Sequence, residues 1–548
     1  MLFRSVSPPG PLTSRAILRG SAPALILATI LLLPFLDKAF TMDDTVFLFE
    51  AVQAVNDPLH PTAFDMAWGI EPQRISTIVP TGPVMAWLLV PAILAGGSER
   101  VAHGVQILLL WLAIVATVAL ALRLGIASGW AASAGLLLAT TPVVLGMAGT
   151  AMPDIPAMAL GAAGLQQLMA WREDRRARQA ILAAFLLGFA ALARTHLVLL
   201  VGIGVLLVVG DVFSWTAWRA GPWTRWLPLA AAPLVTAAVN VLTQDPAGGT
   251  GTIAAAAVEL SSTRSLAPNL LAFLVHWALA LPFAIPWLLL RGRPSPRGIA
   301  FLVGTMAAAA ALVRVAHPDV TPWAIAPIAG LGAAALGDVL GDAFRRRDGV
   351  QFSLGLWLLV ALPAAVYVHL PSKYLLASAP AAAILVARAM AKAPRLGRPL
   401  LAATTAAGVL LGIAILRADS AFAGMGRTAA RALIAPRVAA GQRVWYAGHW
   451  GFQWYAERAG ARFFPVRPPL PPQGDVVVAS ANTDPHIVVW RMDFLVPIGV
   501  LESREPGGRL MDRPSGAGFF SNAWGYLPWS WSDSTIDRFD VLQVDYRR

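Results

Sequence analysis

The stretch ALILATILLLPFLDKAFTMDDTVFLFEA (Ala24–Ala51) decides how this chain is read. It opens on an uncharged apolar run, Ala24–Leu36, of the kind that folds as a helix in lipid. Two adjacent aspartates, Asp43 and Asp44, follow almost at once. Acids at the edge of such a helix either cap the next helix or carry chemistry. Thr41 could be the cap, with both acids in the first turn, where carboxylates favour the positive end of the helix dipole. No small-residue cleavage site separates the run from the acids, so it reads as a retained anchor rather than a signal peptide.

Composition extends that reading to the whole chain. Of 548 residues, 57% are hydrophobic and 13% charged, against about 25% charged in soluble domains. The net charge of +12 does not point to nucleic acid, because the cations lie in short clusters between apolar blocks. There is no cysteine, hence no disulfide framework and no thiolate chemistry.

Apolar blocks fall at 22–40, 102–122, 130–149, 155–171, 179–193, 197–212, 226–243, 269–290, 298–315, 321–339, 351–370, 374–391 and 399–416. The sequence therefore predicts a polytopic α-helical membrane protein of about 13 transmembrane helices. With residues 1–21 cytoplasmic, clusters such as Arg172, Arg175, Arg176 and Arg178, or Arg345, Arg346 and Arg347, all fall on the cytoplasmic side. The opposite loops carry single cations: Arg74, Arg100, Arg194, Arg264, Arg314 and Lys373. Two segments on that outer side are large. One is the loop 41–101, with a helix after the aspartates whose acidic side is expected to cross the outer mouth of the bundle. It also holds a short interfacial piece, Pro83–Leu94. The other is the tail 417–548, read as a small α/β extracytoplasmic domain on strands RVWYAG, ARFFPV and DVVVAS and the helix WGFQWYAERAG. The membrane domain is then 22–416.

Polar groups collect at the outer ends of the spans: Asp154 in TAMPDIPAM, Arg194 and His196 in ARTHL, His317 and Asp319 in HPDVTP, and His369 and Lys373 in HLPSKYLL. Each alone could be a cap or a headgroup contact. Together, on one side, they suggest a shared polar cavity. All eight histidines fall on that side, which raises a divalent metal, but no His-x₃-His spacing supports one.

The ordered set resembles the GT-C glycosyltransferases, in the branch of protein O-mannosyltransferases, aminoarabinose transferases and bacterial relatives of the lipopolysaccharide-core type. The resemblance covers essentially the whole chain. MDDTVFLFEA is similar to the branch's acidic motif, with Asp43 at the catalytic position and Asp44 where Glu is commoner. MPDIPA resembles its second acidic element at Asp154. KYLLASAP resembles its basic-Tyr-Leu-Leu-Pro stretch, with Lys373 replacing the usual Arg. ARTHL has His196 where a Lys is frequent.

The resemblance implies transfer of a hexosyl or pentosyl group from a polyprenyl-phosphate donor to a hydroxyl of a glycolipid, polysaccharide or protein. The setting would be the outer face of a bacterial inner membrane, and the transfer inverting. Asp43 is then the candidate base, with Asp44 and Asp154 beside it as catalytic candidates. Lys373, Arg194, His196 and Arg74 are candidates to hold the donor phosphate. A lipid donor needs no nucleotide site, consistent with the absence of a G-x-x-x-x-G-K-[ST] loop. Rival readings are a multi-span transporter, a polysaccharide polymerase or ligase, and a non-catalytic relative. A transporter commonly shows internal repeats and mid-membrane charges, neither of which is apparent here.

Overall fold

The computed structural model describes residues 13–69, 71–79, 81–247, 263–292, 296–316, 322–483 and 492–547. His317 and Asp319 lie outside them.

Helices occupy every apolar block. Among the described residues, seven are long and apolar enough to cross a membrane, and nine if two bent pairs each count as one span. That is fewer than the thirteen spans expected. The other blocks form Asp154–Asp174, which does not reach that criterion, and the shorter apolar helices Ala177–Ala193, Thr195–Val209 and Gly298–Arg314. The bent pairs break at Thr140–Thr141, before Pro142, by 58°, and around Pro282 by 66°. Proline lacks the N–H that would continue the ladder, so each break has a local cause. Residues 177–209 are two helices. The backbone of Arg194 is extended (φ −146°, ψ 116°) and separates them.

The first and last membrane helices are among those that outrun their apolar blocks. The first begins at Ser14, capped by the Thr13 hydroxyl, rather than at residue 22. The last runs from Pro394 through Ala429 and continues, with one π turn, to Ala439. Hydropathy ends that block at Arg417 and Asp419. Helix propensity does not, because arginine and alanine favour helix on either side of the bilayer boundary. Asp419 is also matched inside the protein, 2.8 Å from the Lys38 ammonium, both side chains buried.

Sequence and structure also differ at the helix after the aspartates, Asp44–Asn56. Its acidic side was expected to lie open over the mouth. Instead Glu50 is 1% exposed, and both its carboxylate oxygens lack a hydrogen-bond partner among the described residues. The reason is tertiary. The helix is sandwiched between Val84–Leu94 and the tail helix Trp450–Arg458. Gly451 lets the tail helix approach this closely, since a Cβ there would collide with the Phe40 carbonyl oxygen.

The tail contains the strands read from sequence, within a five-stranded mixed sheet. Its order is Arg462–Phe463, Val444–Ala447, Val476–Ser480, Asp537–Val544, Leu495–Ser503. The first three strands are parallel and the last two pairings antiparallel. The strand Val476–Ser480, apolar up to its final serine, is central and buried throughout, as a strand covered on both faces should be. A hydrogen-bonded chain fastens this unit to the spans. The Tyr455 hydroxyl accepts from the Phe40 N–H (2.8 Å) and donates to Glu99 (2.9 Å), which pairs with Arg427 (3.2 Å).

Asp537, at the start of its strand, is fully buried, and burial pushes its carboxyl up to about 7 despite bonds from the Arg538 and Asn482 N–H groups and Ser480. The folded state thus holds a proton that the unfolded chain releases near pH 4. This contribution is complete below that pH and is lost as pH rises through about 7. Asp537→Asn is therefore expected to raise the thermal midpoint at pH 8 by roughly 2–4 °C while leaving it nearly unchanged at pH 4. Melting curves at the two pH values in one detergent check this.

Candidate active site

Asp43 immediately precedes the helix Asp44–Asn56, at its N-cap position, and the chain reaches it through Met42, whose φ of 43° is left-handed. A non-glycine residue pays about 1–3 kcal/mol for such backbone geometry. Trp450, at the start of the tail helix, is left-handed as well (φ 55°). The two strained turns meet: the Thr45 hydroxyl donates to the Trp450 carbonyl at 2.5 Å, and Met42 and Trp450 line the same cavity.

That cavity has a volume of about 320 Å³. Asp43, Arg194, Lys373, His369, Tyr367 and Tyr374 supply its polar wall. Trp68 and Val79 of the first loop, and Trp450, Phe520 and Trp524 of the tail, supply apolar and aromatic surface. Lys373 Nζ lies 2.5 Å from Asp43 Oδ2 and 3.5 Å from the Met152 sulfur. The lysine side chain is 4% exposed and the aspartate 33%, so the pair is sealed on the lysine side and open on the carboxylate side. Burial favours the neutral acid, but the Lys373 ammonium, then Arg194, outweighs it and holds Asp43 below the usual carboxylate range. His369 is held down at about 4 by burial and by Lys373, so it is neutral at pH 7.

Beside this pair stands a second. Arg194 Nε and Nη2 donate to Asp154 Oδ1 and Oδ2 at 3.0 and 2.7 Å, a bidentate contact that fixes the guanidinium plane. Arg194 lies 5.3 Å from the centre of the Tyr374 ring. Its extended backbone at the helix break brings it there, so local geometry and site are one feature.

The candidates named from sequence therefore separate. Asp43, Lys373 and Arg194 line one cavity, and Asp154 holds Arg194 from behind. Asp44 points the other way. Its Oδ2 accepts from the Thr41 N–H and its Oδ1 from the Ala151 N–H, each at 2.8 Å, in a fully buried setting. Burial raises it to about 7, against the pull of Lys38 and of those two N–H groups. It is a buried strut between the first loop and the segment carrying Asp154. His196 packs its ring 6.0 Å from Tyr374, does not line the cavity, and has no partner for Nε2 among the described residues. Arg74 is engaged elsewhere, with bonds of 2.6 and 2.9 Å to Asp245. Among the described residues no three His, Asp or Glu side chains gather as a metal site. Sequence reasoning passed over Tyr367 and Trp68. Tyr367 follows a helix-breaking LPAAV turn, and nothing in its spacing marks it.

Fold and site together define a multi-span helical membrane protein with a charged, aromatic-walled cavity closed partly by its tail. No family model and no curated protein matches the chain. Among solved structures it is similar to ArnT from Cupriavidus metallidurans bound to undecaprenyl phosphate, at 16% identity and a TM-score of 0.47, over 89% of this chain and 97% of that one. It is also similar to the archaeal oligosaccharyltransferase AglB from Archaeoglobus fulgidus in complex with an inhibitory peptide and a dolichol-phosphate. That match has 14% identity and a TM-score of 0.46, over 82% of this chain and 64% of the other.

The two aspartates should respond differently to substitution. Asp44→Ala leaves two buried N–H groups without acceptors and is expected to cost about 1–3 kcal/mol for each group. It should show as a lowered thermal midpoint and poor recovery from detergent extraction. Asp43→Asn should melt close to the unaltered protein. The same drop in both variants would refute the division.

Proposed function

We propose that the chain is an integral-membrane glycosyltransferase, moving a hexosyl or pentosyl group from a polyprenyl-phosphate donor to an acceptor hydroxyl with inversion. One observation carries the reading. A carboxylate open to a cavity is paired with a lysine sealed behind it, beside an arginine clamped by a second carboxylate. That arrangement suits a reaction in which an oxygen must lose a proton as an oxyanion leaves.

The acceptor hydroxyl attacks the anomeric carbon, and its proton passes to Asp43. The bond between that carbon and the phosphate oxygen breaks, and the lipid phosphate departs as an anion. Lys373 and Arg194 meet that charge, so no acid is needed for departure. Asp154 keeps Arg194 in plane. Donor binding then has a second effect. As Lys373 turns its ammonium toward the phosphate, Asp43 loses the partner that depresses its basicity, and the base is released only when the donor is present. Trp68, Trp450 and Trp524 offer flat faces for sugar rings. In this reading 22–416 is the membrane domain and 417–548 an extracytoplasmic tail that completes the cavity. The N-terminus is cytoplasmic, the membrane is a bacterial inner membrane, and glycolipid, polysaccharide or protein is the acceptor.

The test uses purified protein and a panel of polyprenyl-phosphate sugars, following loss of donor. Asp43→Asn is expected to reduce turnover by about 100-fold or more, the span of a lost general base, with donor affinity retained. Lys373→Ala is expected to weaken donor binding more than Asp43→Asn does. Near-normal turnover by Asp43→Asn, or equal donor affinities in the two variants, would overturn the assignment.

A further inference from the structure

A second cavity, of about 290 Å³, is lined by Arg291, Arg346, Arg388 and Lys392, with Trp287 and Leu385 among its apolar walls. It lies far from the first. Lys373 and Lys392 stand at opposite ends of the span Ser372–Lys392, roughly 30 Å apart at the rise of a helix. Three of its cations are the last residues of candidate spans: Arg291 ends the bent pair that starts at Leu266, Arg346 ends Ala324–Arg346, and Lys392 ends Ser372–Lys392. They therefore share the level at which a bilayer places its phosphates.

The charges there are only partly neutralised. Arg291 pairs with Asp338 and Asp342 at 2.8 and 2.6 Å, Arg346 with Asp342 at 2.8 Å, and Arg388 with Asp348 at 2.9 Å. Arg346 uses only Nε and Arg388 only Nη1 in these pairs. Lys392 forms no ion pair or hydrogen bond among the described residues. Four cations face one hollow, and three acids stand behind them. Trp287, one turn before Arg291, is buried and donates its indole N–H to Asp338 at 3.0 Å, which fixes one wall of the cavity. Leu289 on the same helix is half exposed.

We infer that this cavity is a binding site for the phosphate headgroup of an anionic membrane lipid, held by Lys392, Arg346 and Arg388, with the acyl chains along the apolar wall. The site is independent of the glycosyl-transfer reading. A phosphate diester accepts from the free guanidinium and ammonium donors as a free phosphate ion does. The position at the span ends and the apolar wall select the lipid.

The test uses the full chain, stripped of lipid in detergent and titrated with short-chain phosphatidylglycerol or phosphatidylcholine while bound lipid is read by native mass spectrometry. The unaltered protein is expected to prefer phosphatidylglycerol at least fivefold. Lys392→Gln with Arg346→Gln should abolish that preference, and Lys392→Arg should keep it. If the double variant fails to fold, Lys392→Gln alone, which breaks no ion pair among the described residues, should reduce the preference at least twofold. Equal binding of the two lipids, an unchanged preference in the glutamine variants, or displacement of phosphatidylglycerol by millimolar inorganic phosphate would overturn the proposal.

Discussion

Charge inside an apolar bundle must be matched, and that constraint organises this molecule. Desolvating an ion costs several kcal/mol, and only a close, well-oriented partner returns it. Three pairs meet the requirement near the acidic stretch: Lys373 with Asp43, Arg194 with Asp154, and Lys38 with Asp419. Each joins segments far apart in the chain, so each is also a cross-link. Breaking Arg194–Asp154 or Lys38–Asp419, which are closed on both sides, by truncating a single partner leaves an uncompensated buried charge, typically at a cost of about 3–5 kcal/mol. Asp43 is a third exposed, and water in the cavity takes over part of its role toward Lys373. The pairs thus hold the helix ends together while leaving one carboxylate, Asp43, facing open space.

The same constraint explains what could be read from sequence. Ionisable residues at the ends of apolar blocks are costly unless matched, which is why Asp43, Asp154, Arg194 and Lys373 stood out before any contact was known. Three of the five strands in the tail sheet, Val444–Ala447, Arg462–Phe463 and Val476–Ser480, were legible because their stretches are short, largely apolar or aromatic and bounded by turn residues. Leu495–Ser503 and Asp537–Val544, which mix charged and polar residues with apolar ones, were not. Partnerships were not legible. Nothing local tells Arg74 that Asp245 will take its charge, or that Glu50 will be covered by a helix from four hundred residues later. The two neighbouring acids illustrate the limit. Asp43 and Asp44 look interchangeable in MDDT, and only the left-handed turn at Met42 sends one into the cavity and the other into the backbone of Ala151.

Strain and pairing support each other at this point. Met42 and Trp450 adopt costly backbone geometry where first loop and tail touch, and the Thr45–Trp450 bond and the Tyr455–Glu99–Arg427 chain hold them to it. Active-site residues held in sparsely populated conformations persist only when their surroundings overdetermine them. Here the surroundings come from four separate stretches of chain, so the position of Asp43 depends on all of them being assembled.

The helix from Pro394 to Ala439 carries a mechanical consequence. At 46 residues it is more than twice what a bilayer requires, and the Lys38–Asp419 pair rivets its middle to the end of the first helix. The tail is thus mounted on a post sunk through the membrane, not tethered by a hinge. Its tryptophans belong to the fixed masonry of the chamber, and the opposite wall, with Trp68 and Val79, is carried by the stretch between the helices Asp44–Asn56 and Val84–Leu94, which the Arg467–Glu71 and Arg74–Asp245 pairs brace from two sides.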